Sequence, residues 1–116
     1  MVKIKPISPN LREKKRYLAF EVISKDKINF NQTEKQIKES VLSLIGELGY
    51  GKAGIMILKE TFNNQKGLIK VNNKYVNELK MALGLIKNID NQKVIVNPIG
   101  VSGIINKAKK RYLEVQ

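Results

Sequence analysis

The segment GIMILKETFNNQKGLIKVN, residues 54–72, decides the fold of this 116-residue chain. Residues 54–60 and 67–72 are rich in apolar and β-branched side chains, which is typical of strands. The six residues between them, 61–66, include two asparagines and are rich in turn formers. We therefore predict a β-hairpin in the middle of the chain.

An amphipathic helix is predicted on each side of this hairpin. On the N-terminal side, Thr33 and Gln36 have the spacing of a capping box, and Gly49 suits the left-handed end of a helix. The apolar residues between them keep a helical spacing: Ile37, Val41, Leu44, Ile45 and Leu48. On the C-terminal side, Asn72 or Asn73 is expected to cap a second helix. Its apolar positions are Val76, Leu79, Ala82, Leu83 and Ile86.

An outer strand is predicted at each end of this block. Residues 17–24 alternate in character, so one face of that strand carries Leu18, Phe20 and Val22. Residues 93–97 form the last strand, and Pro98 either ends its ladder or marks a sheet edge. The order β-α-β-β-α-β predicts an α+β fold: a ferredoxin-like (RRM-like) antiparallel sandwich with two helices on one sheet face.

The second face of this sheet needs a cover. An extra C-terminal helix is predicted from Ser102, its expected N-cap, with Ile104, Ile105, Ala108 and Tyr112 along one side. This helix could pack on the second face. Alternatively, the N-terminal arm or a partner protein covers an apolar patch there, which would comprise Tyr17, Leu68, Ile95 and Ile99.

Positive charge is concentrated at the two ends of the chain. The formal net charge is +12, from 22 basic and 10 acidic residues. Residues 1–16 have a balance of +5 and residues 102–116 a balance of +3, so 31 residues hold +8. We therefore divide the chain into a basic N-terminal arm (1–16), a ferredoxin-like core (17–101) and a basic C-terminal helix (102–116). Charge of this size attracts polyanions.

The composition argues against catalysis by this chain. It has no histidine and no cysteine, which removes the commonest general base, thiolate nucleophiles and the usual zinc ligands. Its ten carboxylates are scattered without an obvious pair. We expect no catalytic residue and no metal site. We also expect no signal peptide or membrane span, because no apolar run approaches the ~20 residues that a span requires, and a cytoplasmic location.

Nucleic acid is the favoured polyanion. The aromatic signature of RNA-recognition motifs is absent, because residues 66–71 read KGLIKV, so base stacking on the sheet is not expected. The terminal segments would instead contact phosphates, and small residues at a helix start expose backbone donors that suit such a contact. The candidate RNA-binding residues are Arg12, Lys14, Lys15, Arg16, Ser102, Gly103, Lys107, Lys109, Lys110 and Arg111.

Four stretches carry a resemblance to a known family. They are LREKKRYLAFEV (11–22), GELG (46–49), GVSG (100–103) and KAKK (107–110). In this order they resemble archaeal ribonuclease P protein component 2, which is related to the eukaryotic Pop-five subunit. The sequence departs from that pattern at Asn10 and Glu13, where threonine and aspartate are expected, and at Ile104, where threonine is common. The last change removes a hydroxyl from the expected helix start.

The resemblance implies an accessory subunit of the ribonucleoprotein that removes 5′ leaders from precursor tRNA. In that family the RNA and Mg²⁺ form the active site, and the protein is paired with ribonuclease P protein component 3. It would bind ribonuclease P RNA, assemble with other ribonuclease P protein subunits, and reach precursor tRNA indirectly.

Two other functions remain as alternatives. One is a small-ligand-binding regulatory module on the same fold, with Gly49, Gly51 and Gly54 shaping a pocket. The other, an acyl-phosphate hydrolase, ranks lowest, because it needs an arginine at a phosphate loop and all three arginines lie in the terminal segments.

Overall fold

The computed structural model describes residues 14–113 and shows a five-stranded antiparallel sheet with helices on both faces. The elements are β1 (Lys15–Ser24), α1 (Phe30–Ala53), β2 (Met56–Asn63), β3 (Lys66–Asn72), α2 (Val76–Leu85), β4 (Asn88–Ile89), β5 (Gln92–Ser102) and α3 (Ile105–Ala108). A short 3-10 turn, Asn73–Tyr75, leads into α2, and wider helical turns, Lys109–Leu113, continue α3. The strand order β2-β3-β1-β5-β4 is that of a ferredoxin-like sheet with a two-residue addition, β4. The predicted fold is confirmed.

Strand β1 lies at the centre of the sheet and contributes to a separate core on each face. Leu18, Phe20 and Val22 are buried in the main core beneath α1 and α2, as the alternation predicts. On the opposite face, Ala19 and Leu68 are fully buried in a smaller cluster with α3. Burial on both faces explains why this strand is almost continuously apolar.

The third helix supplies the cover for the second face, although the cover is incomplete. Leu68 is fully buried under α3, and Tyr17 and Ile99 pack against the same cluster. Ile95 remains 62% exposed. The packing of the extra helix is therefore confirmed for one part of the face, and an apolar area remains beyond it.

Helix α1 begins earlier than the capping box predicts. Its N-cap is Asn29, whose side-chain oxygen accepts from the Gln32 backbone N–H at 2.9 Å. Thr33 is buried in the first turn and donates its hydroxyl to the Asn29 carbonyl at 2.9 Å. The prediction of Thr33 as N-cap is wrong because asparagine is an equally good cap and stands one turn earlier.

Helix α1 also ends later than predicted, and it contains a kink. Gly46 interrupts it with φ 74° and ψ 175°, and Gly54 closes it in the left-handed conformation with φ 60°. Gly49 therefore lies inside the helix rather than at its end. The kink turns the helical stripe away from the core, so Leu48, predicted to be part of that stripe, is 83% exposed.

The hairpin is confirmed, with a tighter turn than the sequence suggested. Strands β2 and β3 extend into the predicted loop, leaving Asn64 and Gln65 as its two central residues with φ of 53° and 61°. Gln65 anchors the turn, because its side-chain oxygen accepts from the Ile28 backbone N–H at 2.6 Å and its amide donates to the Val22 carbonyl at 2.8 Å.

The last strand passes through Pro98 instead of ending there. The pairing of β1 with β5 shifts between Ala19 and Phe20, which face Gly100 and Pro98, so Ile99 is the extra residue of a bulge. The alternative that Pro98 marks an edge is supported, because β4 pairs only with the first two residues of β5. The predicted core of α2 is confirmed by the burial of Leu79, Ala82, Leu83 and Ile86.

Two predicted domain boundaries also shift. Lys15 and Arg16, assigned to the N-terminal arm, are the first residues of β1, whereas residues 1–13 lie outside the described region. Ser102, assigned to the C-terminal helix, is the last residue of β5. Within residues 14–113, the helices are too short or too polar to cross a membrane.

Candidate nucleic-acid interface

The described parts of the two basic segments, residues 14–16 and 102–113, meet at one end of the sheet. Strand β1 begins where β5 ends, and Tyr17 is the register partner of Ser102. The neighbouring strand β3 ends at the same place, since Lys15 faces Asn72 and the Asn73 N–H donates to the Lys14 carbonyl at 2.7 Å. Antiparallel pairing therefore brings together groups that are more than 80 residues apart in sequence.

Arg16 and Gly103 join the two segments directly. The Arg16 guanidinium lies 3.2 Å from the position that a Cβ at Gly103 would occupy, and it donates to the Lys15 carbonyl at 3.2 Å. A larger side chain at residue 103 would displace it. Gly103 thus makes room for an arginine from the other end of the chain, a role that differs from the predicted exposure of backbone donors.

Gly100 sets the position of α3 on the sheet. A Cβ at this residue would overlap the Tyr112 ring, with the tyrosine Oη at 2.7 Å. The same hydroxyl lies 3.5 Å from the Val101 carbonyl. Because Ala108 is fully buried against the sheet, Lys107, Lys110 and Arg111 face solvent.

A cleft of about 550 Å³ separates these cations from the end of β5. It is lined by Val101, Ser102, Lys107, Lys110 and Arg111. Four of the predicted RNA-binding residues therefore share one cleft: Ser102, Lys107, Lys110 and Arg111. Lys109 is half-buried and lies outside its lining.

Ser102 does not cap the third helix as predicted. Its hydroxyl accepts from the Ile104 N–H and donates to the Ile104 carbonyl, both at 3.2 Å, and so closes a local turn. The N-cap of α3 is Ile104, which has no side-chain cap. Ser102 still lines the cleft, but the assignment of its hydroxyl to a helix start is wrong because β5 runs five residues further than expected.

The N-terminal candidates occupy different surroundings. Lys14 is exposed. The Lys15 Nζ lies 3.0 Å from the position of a Cβ at Gly54, beside the C-terminus of α1, where the helix dipole favours a cation. Arg12 lies outside the described residues. Lys15 therefore extends toward α1, while Arg16 extends toward the C-terminal segment.

Sequence reasoning missed two lysines at the same end of the sheet. Lys70 is the register partner of both Tyr17 and Met56, so it shares their sheet face. Lys74 is exposed in the turn after β3, where its N–H bonds to the Asn72 side chain at 3.0 Å. The sequence does contain a signal for Lys70: it stands in a mostly apolar strand, on the same face as Leu68, which precedes it by two residues and is buried.

These cations have no carboxylate partner among the described residues. The ion pair found within residues 14–113 joins Lys38 to Glu34 on α1, at 3.5 Å. In the same region no three acidic side chains come close enough to hold a metal ion. The surface therefore attracts anions through unneutralised charge, and its donors suit phosphate oxygens.

The Gly49, Gly51 and Gly54 pocket required by the small-ligand alternative is not favoured. Gly49 and Gly51 are helical residues of α1, and Gly54 terminates that helix. A Cβ at Gly49 would meet the Ile45 side chain of the same helix, whereas one at Gly51 would meet nothing within 4 Å.

Comparison with known proteins points to one family for this chain. Residues 16–113 match the model of the Rpp14/Pop5 family. Among relatives named ribonuclease P protein component 2, the Thermococcus gammatolerans protein is 38% identical over 111 residues, which cover 96% of this chain and 92% of that protein. The Archaeoglobus fulgidus protein is 33% identical over 112 residues, which cover 97% of this chain and 100% of the relative.

A solved structure supports the same architecture. A chain in the cryo-EM structure of yeast ribonuclease MRP superposes with a TM-score of 0.64, covering 79% of this chain and 76% of that chain at 12% sequence identity. At this identity the likeness establishes the fold. Taken with the matched residues and the archaeal relatives, it leads to one assignment: the chain belongs to the Rpp14/Pop5 family.

Proposed function

We propose that this chain is a protein subunit of ribonuclease P that binds and supports the catalytic RNA during 5′-leader removal from precursor tRNA. The observation that carries the proposal is the meeting of residues 14–16 with residues 102–113 at one end of the sheet, in a family whose archaeal relatives are named ribonuclease P protein component 2.

The cleft beside β5 binds the RNA backbone rather than its bases. Lys107, Lys110 and Arg111 present charged donors around it, and the part of its lining that the structure describes has no aromatic ring on which a base could stack. Arg16, Lys70 and Lys74 extend the positive surface across the strand ends. Contacts of this kind position a protein on folded RNA and lower the repulsion between its phosphates.

Catalysis is assigned to the RNA. The protein has neither histidine nor cysteine, so the chemistry would depend on the RNA and on Mg²⁺ held at the RNA active site. The chain itself would bind no cofactor and contribute no catalytic residue. Its role is to stabilise the arrangement of RNA phosphates in which the metal acts.

Other subunits complete the assembly. Its protein partners would be ribonuclease P protein component 3 and further ribonuclease P proteins, and its contact with precursor tRNA would be indirect. The expected cytoplasmic location stays a prediction.

The salt dependence of RNA binding tests the interface. Replacing Lys107, Lys110 and Arg111 with alanine should weaken binding to ribonuclease P RNA and flatten the plot of log affinity against log salt. Each lost phosphate contact should reduce the slope by about 0.7 to 0.9, so three contacts predict a reduction of roughly 2 to 3. Filter binding or fluorescence anisotropy at several salt concentrations measures it.

A charge-matched variant provides the control. Lys25, Lys87 and Lys93 are exposed near the other end of β1, so their replacement with alanine removes the same net charge from a distant surface. This control should retain most of the slope. Equal slopes for the two triple variants would refute the assignment of the cleft, because only total charge would then matter.

Reconstituted cleavage tests the function itself. Precursor tRNA is incubated with ribonuclease P RNA and the partner subunits, with and without this chain, at a series of Mg²⁺ concentrations. We expect the chain to increase the cleavage rate and to lower the Mg²⁺ concentration required. No gain in either quantity would refute the proposed function.

A further inference from the structure

Two exposed isoleucines lie side by side near the end of the sheet opposite the basic cleft. Ile23 of β1 and Ile95 of β5 are register partners, and they are 49% and 62% exposed. Val94 and Val96, on either side of Ile95, are buried in the main core, so the isoleucines lie on the other face of the sheet. They belong to the part of the second face that α3 leaves uncovered.

A groove of about 550 Å³ opens at this pair, and we call it the lysine-rimmed groove. Its lining includes Lys25, Lys87 and Lys93, and no carboxylate of residues 14–113 contributes to it. All three lysines are exposed, and none has an ion-pair partner within residues 14–113. An aliphatic surface is thus bordered by three lysines that have no ion-pair partner within the described region.

The groove also borders an open strand edge. Strand β4 pairs with β5 only at Gln92 and Lys93, and the Val94 N–H donates to the Lys87 carbonyl at 2.9 Å. From Ile95 onward, the ladder of β5 within the described residues is with β1 alone. An added strand could pair with residues 95–97, before Pro98, which has no N–H to offer.

Protein is a better occupant of this groove than RNA. The side chains that bind unpaired bases are aromatic rings and arginine guanidinium groups, and the described residues that line the groove include neither. Ile23 and Ile95 instead offer an aliphatic surface that is favourable only when another apolar group covers it. The free edge matches a polypeptide, because its backbone groups bond to another backbone.

A second copy of this chain is a poor occupant. It would bring the same lysines into the same groove, and the two chains would each carry a net charge of +12. Like charges placed together in an interface oppose association. Charge complementarity favours a partner segment with carboxylates.

We infer that the lysine-rimmed groove binds a short, extended, acidic segment of a partner protein. Apolar side chains of the segment cover Ile23 and Ile95, its carboxylates face Lys25, Lys87 and Lys93, and its backbone extends the sheet at β5. The groove lies away from the basic cleft, so this interaction is independent of RNA binding.

NMR on the full-length, ¹⁵N-labelled chain tests the inference with two synthetic peptides. The probe has ten residues that alternate isoleucine and glutamate, and the control has serine in place of every isoleucine, so both have the same charge. We expect the probe to shift the amides of Ile23 and Ile95 and to slow hydrogen exchange at residues 95–97. The serine peptide should bind at least about tenfold more weakly, because burial of apolar side chains supplies much of the affinity.

Two variants make the result specific. Ile95→Ala should weaken binding of the probe peptide by about tenfold, the equivalent of about 1.4 kcal/mol. Met81→Ala, at a methionine of α2 that is 61% exposed, should leave affinity unchanged. The triple alanine variant at Lys107, Lys110 and Arg111 should retain the groove shifts, which separates this interaction from the RNA interface.

Four outcomes would overturn the inference. They are the absence of shifts at Ile23 and Ile95 up to millimolar probe, an equal response to the serine peptide, displacement of the probe from the groove by single-stranded RNA, and groove shifts that depend on protein concentration without peptide. The third outcome identifies RNA as the occupant, and the fourth identifies a second copy.

Discussion

Replacing Gly100 with alanine should detach the basic C-terminal segment from the sheet. The added Cβ would lie only 2.5 Å from the Tyr112 Cε1 and 2.7 Å from its Oη. Favourable contacts between carbon atoms lie at about 3.5 to 4.0 Å, so the ring must retreat by roughly 1 Å. The ring belongs to the turns that follow α3, and that element would move with it.

The expected cost follows from overpacking. Forcing one additional carbon into a closely packed contact typically costs about 1 to 3 kcal/mol. For a chain of this length, each kcal/mol corresponds to roughly 4 °C in Tm. We therefore expect Gly100→Ala to lower Tm by about 4 to 12 °C, and to weaken RNA binding without removing a charge.

A double-mutant cycle measures the contact itself. Tyr112→Ala removes the ring, so Gly100→Ala in that background should cost less than about 0.5 kcal/mol, and the coupling energy should be about 1 to 3 kcal/mol. Urea denaturation followed by circular dichroism gives the four free energies of unfolding. Gly84→Ala is the matched control, because a Cβ there meets nothing within 4 Å and alanine in a helix should stabilise by about 0.5 to 1 kcal/mol. If Gly100→Ala costs the same with and without the tyrosine ring, the packing argument is refuted.

Two further substitutions test local features of the fold. Gly46→Ala should lower the free energy of unfolding by about 1 to 2 kcal/mol, since alanine tolerates φ 74° poorly. Urea titration measures this loss, and Gly84→Ala serves as the control for placing alanine in a helix. A neutral result for Gly46→Ala would contradict the kink. Gln65→Ala should cost about 1 to 3 kcal/mol by leaving the Ile28 N–H without its 2.6 Å acceptor, and faster hydrogen exchange at the Ile28 amide would report that loss directly. Unchanged exchange at Ile28 would show that another acceptor replaces the glutamine.

Local patterns predicted those features whose physical causes are local. Strand alternation placed Leu18, Phe20 and Val22 in the main core, because successive side chains of a strand point to opposite faces. Turn formers located the hairpin, because the backbone preferences of turn residues are also local. Element ends were less predictable: Asn29 and Thr33 are both good caps, and their choice depends on how α1 packs against the rest of the molecule.

The roles of the glycines could not be predicted from local sequence. The sequence predicts Gly49 as the end of α1, yet the structure kinks the helix at Gly46 and ends it at Gly54. Gly100 and Gly103 read as a small-residue helix start, but each accommodates a side chain from elsewhere: Gly100 the Tyr112 ring, 12 residues away, and Gly103 the Arg16 guanidinium from the far end of the chain. Close approach between distant segments leaves no periodic signal.

The sequence by itself determined the fold class, the absence of histidine and cysteine chemistry, and the confinement of +8 of the charge to 31 terminal residues. It also carried the family resemblance. Only the tertiary structure decided that residues 14–16 and the basic residues of 102–113 form one surface, joined by the pairing of Tyr17 with Ser102 and extended by Lys70. Charge is a property of each residue and can be counted along the chain, whereas its spatial concentration depends on a strand register formed between residues that are 85 positions apart.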